Sequence, residues 1–121
     1  MAKKRNMSSI DPKLASQILR KVPPPEAFLF FTDIGKYTDE SAPCLKDFLE
    51  KIERIPLESI EFHFKREDFE RWIKETLSDE YLANRISRID RSTGGEELRT
   101  ALQTIVRGRL DQLEAATISK T

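Results

Sequence analysis

Apolar residues recur every three or four positions along most of this 121-residue chain, and prolines divide the pattern into short segments. Leu45, Leu49 and Ile52, for example, share one helical face before Pro56 ends the segment. Proline lacks the N–H that a helix interior needs, so Pro56 and the prolines at residues 23–25 keep the helices short. The sequence therefore predicts an all-α fold, a compact bundle of about five to six short helices.

Two segments leave the secondary structure open. Residues 27–31 form a short apolar run that fits either a buried strand or an extended segment. No second strand is evident and a lone strand cannot pair its backbone groups, so we expect an extended apolar plug ending near Gly35. If the run is a strand, we expect its partner to be a second copy of the chain. Residues 57–64 fit both the helical and the strand period, and Pro56 at their start favours a helix.

Length and charge bound the domain organisation. The chain is long enough for a single domain with its own core. We expect a disordered basic arm at residues 1–8, one helical domain at residues 9–114 and a frayed tail at residues 115–121. Net charge is zero, but residues 1–25 carry six bases and one acid, whereas residues 26–64 carry four bases and nine acids. This split favours self-association or an anionic partner.

We expect a cytoplasmic protein with no membrane segment. No apolar run approaches the ~20 residues that cross a bilayer. The opening residues Met-Ala-Lys-Lys-Arg-Asn have no apolar region behind them that would make a secretory signal. Cys44 is the single cysteine, so it cannot form an internal disulfide, which fits a reducing compartment.

Residues 58–73 hold the chain's single histidine, its single tryptophan and three of its seven phenylalanines. The aromatics fit the apolar faces of two consecutive helices, so we expect most of them in the core. His63 can bond to Ser59 one turn earlier. A contact between His63 and Asp68 across the next turn would fix the imidazole tautomer and raise its pKa. We predict a polar latch between the helices, or a partner site, built from Ser59, His63, Arg66, Asp68 and Trp72.

Catalytic and metal sites have little support in the sequence. Cys44 falls in the first turn of a predicted helix, where a thiol pKa is lowered, but a Cys44–His63 dyad has no third residue to orient it. One histidine and one cysteine cannot complete a zinc site, and neither HExxH nor a phosphate-binding glycine loop occurs. We expect no catalytic residue, no metal, no cofactor and no small-molecule substrate.

The sequence favours a non-enzymatic protein–protein interaction module that forms a homodimer. This hypothesis draws on the charge split, the apolar plug at residues 27–31 and Gly108, which would let another backbone approach the last helix. The alternative is an RNA- or ribosome-associated factor that holds phosphates through a basic arm and an arginine face on the last helix. Its candidate phosphate contacts are Lys3, Lys4, Arg5, Arg99, Arg107 and Arg109.

One block of residues is similar to a known family. Its densest parts are Ser59-Ile60-Glu61-Phe62-His63 and Arg66-Glu67-Asp68-Phe69-Glu70-Arg71-Trp72-Ile73. Weaker matches extend from residue 28 to residue 113, at Phe28-Leu29-Phe30, Gly35, Leu45-Lys46-Asp47-Phe48, Pro56, Asp79, Leu82-Ala83 and Glu96-Glu97-Leu98-Arg99. On these residues the chain resembles a small prokaryotic family of domains of unknown function, whose members carry glycine where this chain has Glu67. The resemblance implies a prokaryotic, cytoplasmic protein and supplies no activity.

Overall fold

The structure is a computed structural model that describes residues 10–118, with Ile118 described by its backbone alone. These residues form six α-helices, one 3-10 turn and two β-strands that surround one hydrophobic core. In chain order the elements are α1 (Pro12–Leu19), the 3-10 turn (Pro24–Glu26), β1 (Phe28–Asp33), β2 (Lys36–Ala42), α2 (Leu45–Arg54), α3 (Leu57–Arg66), α4 (Asp68–Glu75), α5 (Glu80–Ser87) and α6 (Gly95–Ile118).

The prediction of an all-α fold is wrong, because β1 and β2 pair as an antiparallel hairpin and make the fold mixed α and β. Residues 28–31 of the apolar run belong to β1, and the partner strand is in the same chain rather than in a second copy. Gly35 occupies the tight turn with φ of 74°, a left-handed value that glycine adopts without strain. The sequence of β2 is polar and only Ala42 in it is buried, so β2 carries no alternating apolar signal.

Irregular pairing hides the hairpin further. Thr38 and Asp39 of β2 lie between the residues that pair with Phe31 and Phe30, which makes a bulge. Asp39 has φ of 70° there, and the Thr38 hydroxyl donates to the Phe30 carbonyl at 2.7 Å and accepts from the Glu40 N–H at 3.1 Å. The bulge interrupts the alternation of inward-facing and outward-facing side chains along β2, so the sequence of this segment does not show alternating apolar and polar residues.

Residues 57–64 are helical, which confirms the helix prediction for this segment. Helix α3 ends at Arg66, its C-cap Glu67 has a left-handed φ of 63°, and α4 begins at Asp68. Glycine relieves strain at such a position. Glu67 therefore makes this turn under backbone strain that a glycine would avoid.

The hairpin packs on the helices through an aromatic cluster. Phe28 and Phe30 point inward from β1, with their ring centroids 5.6 and 5.9 Å from the ring of Phe48 in α2. From α4, Phe69 and Trp72 close the cluster with ring centroids 5.4 and 5.6 Å from Phe28. The Trp72 indole N–H donates to the Glu26 carbonyl at 2.8 Å. These contacts fix the hairpin against α2 and α4.

The long helix α6 supports the opposite side of the core. It packs against α1, α2, α3 and α5, and it continues to Ile118 with Ala116 buried, so it extends into the tail predicted to fray from residue 115. The predicted basic arm at residues 1–8 and residues 119–121 lie outside the described part of the chain. Between residues 10 and 118, no helix has the length and apolar character needed to cross a membrane.

Trp72→Ala is expected to lower the free energy of unfolding by about 3–5 kcal/mol, because it leaves a cavity between Phe28 and Phe48 and removes the donor to Glu26. Equilibrium urea unfolding measures this loss. Leu14→Ala on the exposed side of α1 is the control, with an expected loss below ~1 kcal/mol. A loss as small as the control's for Trp72→Ala would place the indole outside the core.

Candidate functional site

A groove of about 410 Å³ lies between the hairpin turn and the corner where α3 meets α4. Its walls combine apolar side chains from both strand and helix with three polar groups at one end. The apolar side chains that the site uses are Leu29, Phe31, Ile34 and Phe62, and the polar ones are His63, Arg66 and Asp68. A pocket of this size, mostly apolar with few polar groups, is typical of a binding site.

His63 lines the polar end of the groove. Its side chain is buried, and its Nε2 accepts the backbone N–H of Phe31 at 2.8 Å. Because an amide N–H can only donate, Nε2 carries no proton, so the imidazole is the neutral Nδ1–H tautomer. The Nδ1–H then donates to Asp68 Oδ2 at 2.8 Å. His63 therefore joins the edge of β1 to α3 and to the start of α4.

Burial sets the protonation of His63. Desolvation lowers the pKa of His63 below its ordinary value of 6.5, against the upward pull of the Asp68 carboxylate. Asp68 does raise this pKa, as expected, but desolvation of the buried ring outweighs it, so the expected net increase does not occur.

Asp68 collects three side-chain donors. Its Oδ2 accepts from His63 Nδ1 and, at 3.0 Å, from Arg66 Nε, and its Oδ1 accepts from Arg71 Nη1 at 2.9 Å. Burial alone would raise the pKa of Asp68, but hydrogen bonds from His63, Arg66 and Arg71 outweigh it and lower the pKa. The carboxylate also lies at the N-terminus of α4, where the helix dipole favours a negative charge. Asp68 is thus a fixed anion that orients Arg66.

Arg66 presents positive charge to the groove. Its guanidinium lies 5.1 Å from the ring centroid of Phe62, and Asp68 holds its Nε. Within residues 10–118 no protein group takes its two Nη nitrogens, and its side chain is 52% exposed. A stacked arginine with free Nη groups suits a carboxylate ligand.

The structure brings together three of the five residues predicted for the latch. Ser59 is buried, but its Oγ has no hydrogen-bond partner among the described residues, so the expected Ser59–His63 bond is not formed. Trp72 directs its N–H to Glu26 instead. His63, Arg66 and Asp68 are the members in direct contact.

Cys44 does not form the dyad that was considered with His63. Both ring nitrogens of His63 are already bonded, to Phe31 and Asp68. Cys44 lies at the N-cap of α2, but burial raises the pKa of its thiol, the reverse of the lowering expected at a helix start. Residues 10–118 also contain no group of three or more His, Cys, Asp or Glu side chains placed to hold a metal ion.

The candidate phosphate contacts on α6 make contacts inside the protein. Arg99 donates to the carbonyls of Ile52 and Ile55 at 2.8 and 2.9 Å. Arg109 binds the buried carboxylate of Asp79 through two nitrogens at 2.9 and 3.0 Å. The remaining residues of that prediction are Arg107, which pairs with Glu53 at 2.8 Å, and Lys3, Lys4 and Arg5, which lie outside the described residues.

Gly108 faces open space. A Cβ added there would meet no described atom within 4 Å apart from those of the adjoining helical backbone. The close approach of another backbone, which the sequence suggested for this position, therefore does not occur between the described parts of the chain.

The sequence did not point to Ile34 and Phe62 as site residues, and it indicated Leu29 only as part of the apolar plug at residues 27–31. Ile34 is the clearest omission, because it is apolar, lies in a two-residue turn beside Gly35 and is 78% exposed. An isoleucine in a tight turn indicates an exposed apolar side chain, but this inference requires that the hairpin turn is known.

The model for the family of unknown function DUF5752 matches residues 23–121, and the chain therefore belongs to this family. The prediction of a family of unknown function, made from the resemblance, is confirmed. The prokaryotic origin and the cytoplasmic location stay predictions. Comparison with curated proteins and with solved structures gives no match.

Stability is expected to fall as the pH drops from about 7.5 to about 5.5, because the unfolded chain takes up a proton on His63 more readily than the folded chain. The stabilisation is complete above the unfolded pKa of 6.5. It is lost as the pH falls towards the lower folded pKa, with a slope of up to ~1.4 kcal/mol per pH unit. Urea unfolding across this range measures the slope.

His63→Gln is the matched variant for this measurement, since glutamine can still accept from Phe31 but does not titrate. The chain has one histidine, so the slope in this range is expected to disappear in the variant. An equal slope in both proteins would contradict the assignment to His63.

Proposed function

We propose that this member of the family is a non-enzymatic protein–protein interaction module that self-associates through the surface around the hairpin groove. The observation that carries the proposal is the position of its exposed apolar side chains. Leu29, Ile34 and Tyr37, which are 43%, 78% and 42% exposed, all belong to the hairpin. Half-buried Phe31 and Phe62 adjoin them, and the Phe31 ring lies 5.3 Å from that of Tyr37.

The exposed apolar side chains of the hairpin lie together, which distinguishes this surface from singly exposed apolar residues. Single exposed apolar residues are normal on soluble proteins, whereas an apolar patch rimmed by polar groups marks an interaction surface. Between residues 10 and 118, the other strongly exposed large apolar side chains are Leu14 on α1 and Tyr81 on α5. Tyr81 is covered in part by Arg109, whose guanidinium lies 4.6 Å from its ring. The hairpin therefore holds the main apolar surface of the described chain.

The polar groups of the groove support binding rather than catalysis. A general base needs a free lone pair within reach of a substrate proton, and the Nε2 lone pair of His63 is used by the Phe31 N–H. The RNA- or ribosome-associated alternative is not favoured, because two arginines of α6 already donate hydrogen bonds within the protein. Arg99 donates to backbone carbonyls of α2 and its C-cap, and Arg109 donates to Asp79. The lone Cys44, which cannot form an internal disulfide, supports a cytoplasmic setting for the module.

The test is the dependence of molecular mass on concentration. Sedimentation velocity of the wild-type chain is expected to show a monomer–dimer equilibrium between about 5 and about 200 µM, since mass action shifts a weak self-association across this range. Leu29→Glu places a charge within the patch and is expected to leave only monomer over this range.

Leu14→Glu is the matched control, because Leu14 is 41% exposed, close to the 43% of Leu29, but lies on α1 away from the hairpin. This variant is expected to associate like the wild type. A wild-type chain that stays monomeric at the highest concentration would refute self-association, and equal loss in both variants would exclude the hairpin as its surface.

A further inference from the structure

We infer that the occupant of the groove is the hairpin turn of a second copy, with Ile34 seated between the apolar walls and Asp33 facing Arg66. This inference rests on the proposed self-association and specifies its contacts. Its support is that the groove suits an apolar side chain beside a carboxylate, and that the hairpin turn exposes both groups.

The groove calls for an apolar side chain next to a carboxylate. Leu29, Phe31 and Phe62 provide apolar walls. At the polar end, Asp68 occupies only the Nε of Arg66, and the two Nη nitrogens have no partner within residues 10–118. Arg66 and Asp68 are the charged residues that line this end of the groove, and Asp68 is shared between Arg66 and Arg71, which lies outside the groove. A carboxylate that entered here would meet the free Nη donors of Arg66.

The turn presents these two groups side by side. Ile34 is 78% exposed, so its side chain is available to a partner. Asp33 is exposed, and its Oδ1 accepts the backbone N–H of Ile34 at 2.7 Å. Its Oδ2 has no partner among the described residues. The hydrogen bond fixes the carboxylate beside the isoleucine, so the pair is pre-organised and loses little conformational entropy on binding.

The arrangement is self-complementary. Ile34 lines the rim of its own groove, so a two-fold axis beside the groove brings each turn to the groove of the other copy. Such an interface is isologous, and each contact occurs twice. A dimer would contain two Ile34 insertions and two Asp33–Arg66 pairs. Leu29, which the self-association test alters, is then a wall of the groove.

Charge reversal in two separate variants tests whether Asp33 of each copy faces Arg66 of the other. In a homodimer of Asp33→Lys, each introduced lysine faces Arg66, and in a homodimer of Arg66→Glu, each introduced glutamate faces Asp33. Each variant alone is expected to associate at least ~10-fold more weakly than the wild type, because two contacts per dimer become repulsive. In an equimolar mixture, the introduced lysine meets the introduced glutamate, while the native Asp33 and Arg66 meet in the other contact. The mixture is expected to recover wild-type association.

Sedimentation velocity of the two variants and of their mixture gives the readout, and circular dichroism verifies that each is folded. Arg66→Gln is the second variant if Arg66→Glu fails to fold; it is expected to weaken association, and its mixture with Asp33→Lys is expected to recover association only in part, because one of the two Asp33–Arg66 contacts re-forms. If Asp33→Lys and Arg66→Glu each dimerise as well as the wild type, self-association is retained, but the placement of the turn in the groove of the other copy is refuted.

A wild type that stays monomeric would refute both proposals together. A monomer that binds the amphipathic anion 1-anilinonaphthalene-8-sulfonate in the groove, with loss of binding in Arg66→Gln, would show that the groove takes a small ligand instead of the turn. Neither result is compatible with the turn as occupant.

Discussion

The hydrogen-bonded bridge through His63 is the interaction on which the site depends. One neutral imidazole accepts the β1 backbone at Phe31 and donates to Asp68, so a strand edge, the end of α3 and the start of α4 meet at a single ring. Buried polar groups stabilise a unique arrangement only when all of them are satisfied. Both nitrogens of His63 are satisfied, and Asp68 is left to hold Arg66 and Arg71.

The bridge also explains why the groove has one apolar and one cationic part. Phe28 and Phe30 are drawn into the aromatic cluster, which leaves Leu29 and Phe31 on the outer side of β1. Since His63 anchors that strand over α3, the outer side chains face Phe62 and Arg66 across the groove. The same contacts that stabilise the hairpin therefore create the surface to which we assign self-association.

Local signals in the sequence predicted part of this arrangement. Pro56 and the apolar face after it predicted α3, and the five-residue separation of His63 and Asp68 across a turn suggested their contact. The hairpin was missed because β2 is polar and bulged, so its pairing depends on hydrogen bonds rather than on an apolar pattern. The roles of Arg99 and Arg109 could not be predicted either, because their partners lie 47 and 30 residues away in the chain, and a charged residue on a helix gives no sign of which distant group it will bind.

The tautomer of His63 is the most direct test of the hydrogen-bonded bridge. Long-range ¹H–¹⁵N correlation spectra of the imidazole, recorded at a pH of about 7.5, distinguish a protonated from an unprotonated ring nitrogen. The bridge requires a neutral ring with the proton on Nδ1 and a bare Nε2, because Nε2 must accept from Phe31. A proton on Nε2, or a doubly protonated imidazolium, would contradict the bridge and the groove geometry that depends on it.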